Sequence, residues 1–180
     1  MSGPIHTAPP DSGSPVLGKT LPDLLYHADQ AYDNLRALNQ PSEEGWTPLS
    51  LEDFRVHAEE IALGLLDVGL NRGEKVAMLL ESDVNFCRVD MGCLIAGLVD
   101  VPVYLSTSPE QMTYVINHAE ARAVAVADHE QLEVAAEILP DLPDIHTVIL
   151  CEDDGADRPS LPDRVDLLTL EEVRERGRAS

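Results

Sequence analysis

A doubly wound, mainly parallel α/β sheet with flanking helices is predicted by three features of the sequence. Short apolar runs suited to strands covered on both faces, at Val76 to Leu80, Ala123 to Ala127 and Thr147 to Cys151, alternate with segments of helical periodicity. Helix-capping residues precede several helical segments, at Ser50, Ser82, Ser108 and Thr169. The pace of alternation is that of consecutive strand-helix-strand units.

The elements follow in order. Residues 1–19 contain Pro4, Pro9, Pro10, Pro15, Gly3, Gly13 and Gly18 with neither a cationic start nor an apolar run, which predicts a flexible tail and not a signal peptide. Leu21, Leu24, Leu25, Ala28 and Tyr32 recur at helical spacing, and Thr20 with Asp23 forms a capping-box pattern. Leu35 to Leu38 and Gly45 to Thr47, with Pro41 and Pro48 nearby, read as short strands or an irregular hairpin. Ser50 with Asp53 caps a helix whose stripe is Phe54, Ala58, Ile61, Ala62, Leu65 and Leu66, and Gly69 stops it. A turn over 70–74 leads into the strand Val76 to Leu80. Ser82 then caps a helix bearing Phe86, Val89, Met91, Cys93 and Leu94, closed by Gly97 before a strand from Val99 to Leu105. Ser108, Pro109 and Gln111 open the next helix, followed by the strand Ala123 to Ala127, a helix from Gln131 to Leu139 and the strand Thr147 to Cys151. Glu152 to Asp166 reads as an acidic, proline-bearing loop, and Thr169 with Glu172 caps a last helix ending near Gly177.

Charge is the most unusual bulk property. The 180 residues include 33 acidic and 12 basic side chains, a formal charge of -21. Such a surface repels nucleic acid, which excludes binding driven by phosphate contacts. Lys19 and Lys75 are the only lysines, and the acids are scattered instead of forming one tail. A solvated acidic surface of this kind suits a salt-rich cytosol, where at ~1 M salt the Debye length falls to about 3 Å and self-repulsion is suppressed. An ordinary acidic protein is the alternative. No apolar stretch approaches the ~20 residues of a membrane span, so a soluble, cytoplasmic chain without a transmembrane segment is expected. Cys87, Cys93 and Cys151 lack paired spacing and read as buried small hydrophobes in a reducing compartment.

Candidate chemistry is sparse. A phosphate-binding loop needs clustered glycines between strand and helix, often with a lysine. Gly92 and Gly97 have the spacing of its outer glycines, but no Lys-Ser/Thr follows, and close helix packing explains them better. His6, His27, His57, His118, His129 and His146 are scattered without the pairing of a metal site. Glu152 to Asp157 has the acidity of a calcium loop but not its ligand spacing, and reads as a solvated loop. Glu59, Glu60, Glu171 and Glu172 read as solubilising residues on exposed helical faces. Tyr104 to Ser108 follows a strand at its carboxyl end, the edge where open α/β sheets bind ligands, so it either lines a pocket or serves only as a turn and helix cap.

Taken together, Thr47 to Ser50, Gly64 to Ala77, Ala96 to Tyr104, Ser108 to Gln111 and Ile116 to Arg122 resemble the N-terminal domain of adenylate-forming, AMP-binding acyl-CoA synthetases, most closely the long-chain fatty acid–CoA ligases. The resemblance runs from about Thr20 to Gly177, so residues 20–180 are expected to form a partial N-terminal domain of such an enzyme. It implies ATP-dependent acyl-adenylate formation followed by transfer to coenzyme A, with ATP, magnesium, coenzyme A and a fatty acid used by the complete enzyme. The family's Ser/Thr/Gly-rich phosphate loop, acidic magnesium and ribose site, and catalytic lysine have no counterpart here. The chain is therefore expected to carry no catalytic, cofactor-binding or metal-binding residue, to bind no cofactor alone, and to be inactive without the remainder of the ligase or another subunit. Peripheral attachment of the complete enzyme to a membrane stays open. Where the long-chain branch often shows Tyr-Pro-Thr, this chain has Tyr104-Leu105-Ser106-Thr107, which leaves acyl length open. Two alternatives stand beside this reading: a stand-alone α/β binding or interaction module, and an adenylating enzyme for another carboxylic acid.

Overall fold

The computed structural model describes residues 19–42 and 45–180. The tail expected over 1–19 thus lies, apart from Lys19, outside the described residues, as does His6.

Helix α1 (Leu21–Ala31) starts from the capping box: the Asp23 amide donates to Thr20 Oγ1, and the Asp23 carboxylate accepts from the Thr20 amide at 2.8 Å. Of its expected stripe only Leu25 is buried; Leu21 and Leu24 are exposed, and Tyr32 lies beyond the helix end. Strands β1 (Leu38–Ser42) and β2 (Gly45–Leu49) form an antiparallel hairpin in which Pro41 and Pro48 sit inside the strands. Leu35 is not in a strand. A two-stranded ribbon has solvent on its edges, so proline removes no needed donor.

Helix α2 (Leu51–Asp67) starts at its expected cap, Ser50, whose hydroxyl accepts from the Asp53 amide at 3.0 Å. Ala58, Ile61, Ala62 and Leu65 are buried, while Leu66 is exposed. Strand β3 (Lys75–Leu79) leads to α3 (Val84–Ala96), which is capped by Asp83 and not by Ser82: Asp83 Oδ1 accepts from the Phe86 amide at 2.8 Å. Gly97 closes α3 in the left-handed conformation, at φ 74°. Strand β4 (Val99–Pro102) is shorter than the run to Leu105 implied. Helix α4 (Pro109–Ala119), strand β5 (Ala121–Val126) and helix α5 (His129–Ile138) follow, α5 starting two residues early because Asp128 caps it. Strand β6 (Thr147–Leu150) precedes β7 (Asp166–Thr169), a strand absent from the sequence reading, and α6 (Leu170–Ala179) runs past Gly177.

Five strands form one parallel sheet in the order β4-β3-β5-β6-β7. Alternation of side chains divides the core. Ala77, Leu79, Val124, Val126, Val148 and Leu150 face α4 and α5; Val76, Met78, Ala123, Ala125 and Ile149 face α2, α3 and α6. Runs buried on both faces are what a doubly wound sheet requires. From β3 the chain moves outward to β4, then returns across β3 to β5, so the direction of winding reverses between β3 and β5.

Glycine sets the helical layer. A Cβ at Gly92 would lie 2.6 Å from Ile61 Cγ2, so α3 lies close against α2. Gly64 and Gly177 face the backbones of Val173 and Glu60, bringing α2 and α6 together without intervening side chains. Arg174 then bridges to Glu60 at 2.7 Å, and Arg178 reaches Glu60 and Glu171 at 3.1 and 2.6 Å.

Candidate functional site

The reversal between β3 and β5 directs attention to the carboxyl ends of the strands, where parallel sheets bind ligands. A cleft of about 400 Å³ opens there beside β3 and β4. Met78, Leu80, Phe86, Pro102, Val103 and Leu105 make it largely apolar, and Glu81, Ser82 and Tyr104 stand at its margin. The segment Tyr104 to Ser108 serves both roles expected of it. The Thr107 amide donates to Tyr104 O at 3.0 Å to close a turn, and Ser108 caps α4; Tyr104 and Leu105 line the cleft. Tyr104 is 85% exposed, so its ring is free to cover an occupant. A hollow of about 510 Å³ between Asp29–Leu35 and Ser50–Glu52 is polar-walled.

At three helices that open at this edge, acids take up N-terminal amides. Helix N-termini attract phosphate through free N–H groups, but here the Asp83 and Asp128 carboxylates accept the amides that open α3 and α5. At α6 the Thr169 amide donates to Glu172 at 2.7 Å. Each of these three places a carboxylate at a helix N-terminus, whereas α4 is capped by the neutral Ser108 hydroxyl. Lys75 opens β3 at the opposite, amino edge and pairs with Glu120 at 3.6 Å. Gly92 and Gly97, considered for a phosphate loop, instead pack α3 on α2 and end α3.

The histidines divide. His27, His118 and His146 are exposed, and His118 stacks on Tyr114 with ring centroids 5.7 Å apart. His57 is partly buried, and burial together with Arg174 and Arg88 lowers its pKa. His129 is not an isolated helix-end residue: it meets the acidic loop, its Nε2 lying 2.9 Å from Asp153 and 3.3 Å from Asp154. Sequence spacing could not bring them together, because α5 and β6 intervene. Arg158 joins Asp153 at 2.7 Å, and His129 and Arg158 hold the Asp153 carboxyl below the usual carboxylate range. Metal-bound histidine generally donates its second N–H to an acceptor, whereas His129 Nδ1 is buried without a partner. The hydrogen bond between His129 Nε2 and Asp153 fastens the loop to α5.

Two further expectations are corrected. Glu59, Glu60, Glu171 and Glu172 are not merely solubilising: Glu59 accepts from Arg55 at 2.8 Å, Glu60 and Glu171 bind Arg174 and Arg178, and Glu172 completes the α6 capping box. Contact across 26 to 118 residues of sequence, as between Arg55 and Asp29 or Arg178 and Glu60, supplies partners that local reading misses. Of the cysteines only Cys93 is fully buried, Cys87 and Cys151 being intermediate; burial raises all three thiols.

One carboxyl stands apart. Burial, and then Asp100 facing it, push Asp90 up to about 6. The native state then holds a proton, between the ordinary Asp value and about pH 6, that the unfolded chain has lost. Stability falls as pH rises through this interval and stays lower above it. Asp90→Asn is expected to raise the melting temperature at pH 7.5 and to change it little at pH 5. An equal rise at both values would refute the assignment.

A family model described as AMP-binding enzyme matches residues 25–174. A long-chain-fatty-acid–CoA ligase of Rattus norvegicus is 28% identical over 158 residues, covering 88% of this chain and 21% of that protein. A long chain acyl-CoA synthetase of Arabidopsis thaliana is 27% identical over 177 residues, covering 92% and 24% respectively. Among solved structures, the A domain of a carboxylic acid reductase from Segniliparus rugosus, in complex with AMP and a co-purified carboxylic acid, superposes with a TM-score of 0.75 at 16% identity, over 91% of this chain and 31% of that one. The chain spans less than a quarter of the length of these curated relatives.

Proposed function

The chain belongs to the AMP-binding enzyme family, and from that premise we propose that it is the N-terminal part, over residues 20–180, of a long-chain fatty acid–CoA ligase. The observation that supports the fatty acid is the family match over 25–174 combined with long-chain ligases among the curated relatives at 26–28% identity over most of this chain. Such a ligase joins a fatty carboxylate to the α-phosphate of ATP and passes the acyl group to coenzyme A. Charge develops in both steps and needs preorganised cations and N–H donors. The contribution of these residues is a scaffold and one apolar wall: Met78, Leu80, Phe86 and Leu105 would line the path of an alkyl chain. Catalytic groups, with ATP, magnesium and coenzyme A, belong to polypeptide outside these residues, and the acidic surface suits a salt-rich cytoplasm.

The test is to read the coding sequence and transcript beyond codon 180 for an in-frame Ser/Thr/Gly-rich phosphate loop, and to assay the encoded protein for acid-dependent ATP–pyrophosphate exchange. Exchange with palmitate well above that with benzoate is expected. Exchange favouring an aryl acid would replace the substrate class. A stop codon with no remainder, together with nucleotide binding by the 180-residue chain itself, would favour a stand-alone binding module.

A further inference from the structure

Ser82 is the one expected helix cap that caps nothing, because Asp83 takes that role. Its exposed side chain stands instead between two hollows. On one side is the apolar cleft of Met78, Phe86 and Leu105. On the other, a second cleft of about 460 Å³ opens between the β1–β2 hairpin and the first turn of α3. Ser82 lines both, so the two clefts adjoin. Each falls in the range of about 300–1,000 Å³ usual for small-molecule sites.

The walls of the second cleft suit hydrocarbon. The hairpin supplies Leu38, Pro41 and Trp46, and α3 supplies Val84 and Cys87. Pro41 and Trp46 stand opposite each other in the ladder and so share a face. The polar groups beside them are engaged within the fold. Gln40 Oε1 accepts from the Val84 amide at 3.1 Å, which ties the hairpin to α3, and Asp83 Oδ1 accepts from the Phe86 amide at 2.8 Å. An occupant therefore need offer no hydrogen bond. With Tyr104 beside the first cleft and Trp46, 65% exposed, beside the second, each cleft has an aromatic ring free to close over it.

We propose that the two clefts form one groove across Ser82, in which a long alkyl chain runs from Tyr104 to Trp46 with its terminal methyl beneath the hairpin. The direction follows from charge. Glu81 and Asp83 flank Ser82 and repel a carboxylate, so the acid group lies at the Leu105 end, towards the neutral Ser108 cap of α4, and only uncharged methylenes cross. This inference rests on the alkyl reading of the first cleft and adds to it the part that selects length. A short acid occupies the first cleft alone; a long one passes the small Ser82 side chain and gains the second.

Trp46 is the only tryptophan of the sequence, so its fluorescence reports on the second cleft alone. The probes are octanoate, palmitate, and palmitates brominated near the carboxyl or near the terminal methyl, bromine being a short-range quencher, titrated into the 180-residue chain at pH 7.5. Bromine near the methyl is expected to quench Trp46 at least threefold more strongly than bromine near the carboxyl. Each methylene drawn from water is worth about a fourfold gain in affinity, so palmitate should bind at least tenfold more tightly than octanoate. Ser82→Phe, at an exposed position that caps no helix, should abolish both differences while octanoate still shifts the Met78 methyl resonance. Equal quenching from the two bromine positions, or quenching untouched by Ser82→Phe, would overturn the proposal. If palmitate nonetheless shifts the Met78 methyl, the alkyl reading of the first cleft stands without it; if neither acid does so, that reading fails first and this one with it.

Discussion

Gly177→Ala is expected to destabilise the chain by about 3 kcal/mol, lowering its melting temperature by roughly 10 °C. The sign is not obvious, because alanine in a helix gains about 1 kcal/mol over glycine. What decides it is the nature of the neighbour. The added methyl would fall on Glu60 O, with the Glu60 carbonyl carbon and Cα close behind, so helices α2 and α6 must separate along their length. Separation would also loosen Val173, fully buried in the same layer, and lengthen the Arg174 to Glu60 bridge. Gly64→Ala meets the Val173 backbone and should cost a similar amount. Once one substitution has parted the helices the other adds little, so the double variant should fall well short of the sum. Gly92→Ala is the milder comparison: it meets the Ile61 side chain, Cγ2 at 2.6 Å and Cβ at 3.0 Å, which is buried and stiff but is not backbone, and should cost about 1–2 kcal/mol. Thermal melts of the four variants suffice. Stability of Gly177→Ala at or above the parent would show that α2 and α6 do not touch backbone to backbone.

That contact also marks the limit of what a single sequence reveals. Gly64 and Gly177 lie 113 residues apart, and nothing near either glycine announces the other. Val76 to Leu80 was legible as a doubly covered strand because burial on both faces demands an unbroken apolar run, and the same holds for β5 and β6. Strand β7 was missed because it is an edge with only Leu167 and Leu168 to show, joined to the sheet by backbone pairing that begins with the Asp166 amide donating to His146 O at 2.9 Å. Capping was read well where Ser or Thr stood alone, as at Ser50 and Ser108. It slipped by one residue at Ser82-Asp83, where two capable side chains adjoin and local backbone geometry selects the carboxylate. At the candidate site, the Tyr104 to Ser108 segment was found by its position after a strand. The apolar floor it shares with Met78 and Phe86 was not, since those residues also read as ordinary core.

Raising potassium chloride from 0.1 to 2 M is expected to stabilise the chain, by an amount comparable with the Gly177→Ala effect and opposite in sign. Two salt effects compete. Screening weakens attractive pairs such as Arg55 with Asp29 at 2.6 Å, Arg158 with Asp153 at 2.7 Å, and the α2–α6 bridges. It equally weakens repulsion among the carboxylates, which outnumber cations by 21. Exposed pairs contribute only about 0.2–1 kcal/mol each and part of that survives salt, whereas the repulsion sums over every unpaired acid within a Debye length of about 10 Å at 0.1 M. With so large an excess the repulsive sum dominates, and its relief sets the sign. Preferential exclusion of salt from the surface would also stabilise, so the experiment needs a second variable. Near pH 4.5 many carboxylates are protonated and the electrostatic part should shrink to a small fraction of its value at pH 7.5, while exclusion should persist. Melting temperatures across this grid of salt and pH separate the two. Destabilisation by salt at pH 7.5 would mean that the ion pairs outweigh the repulsion; stabilisation of equal size at both pH values would remove the electrostatic case for a salt-adapted surface.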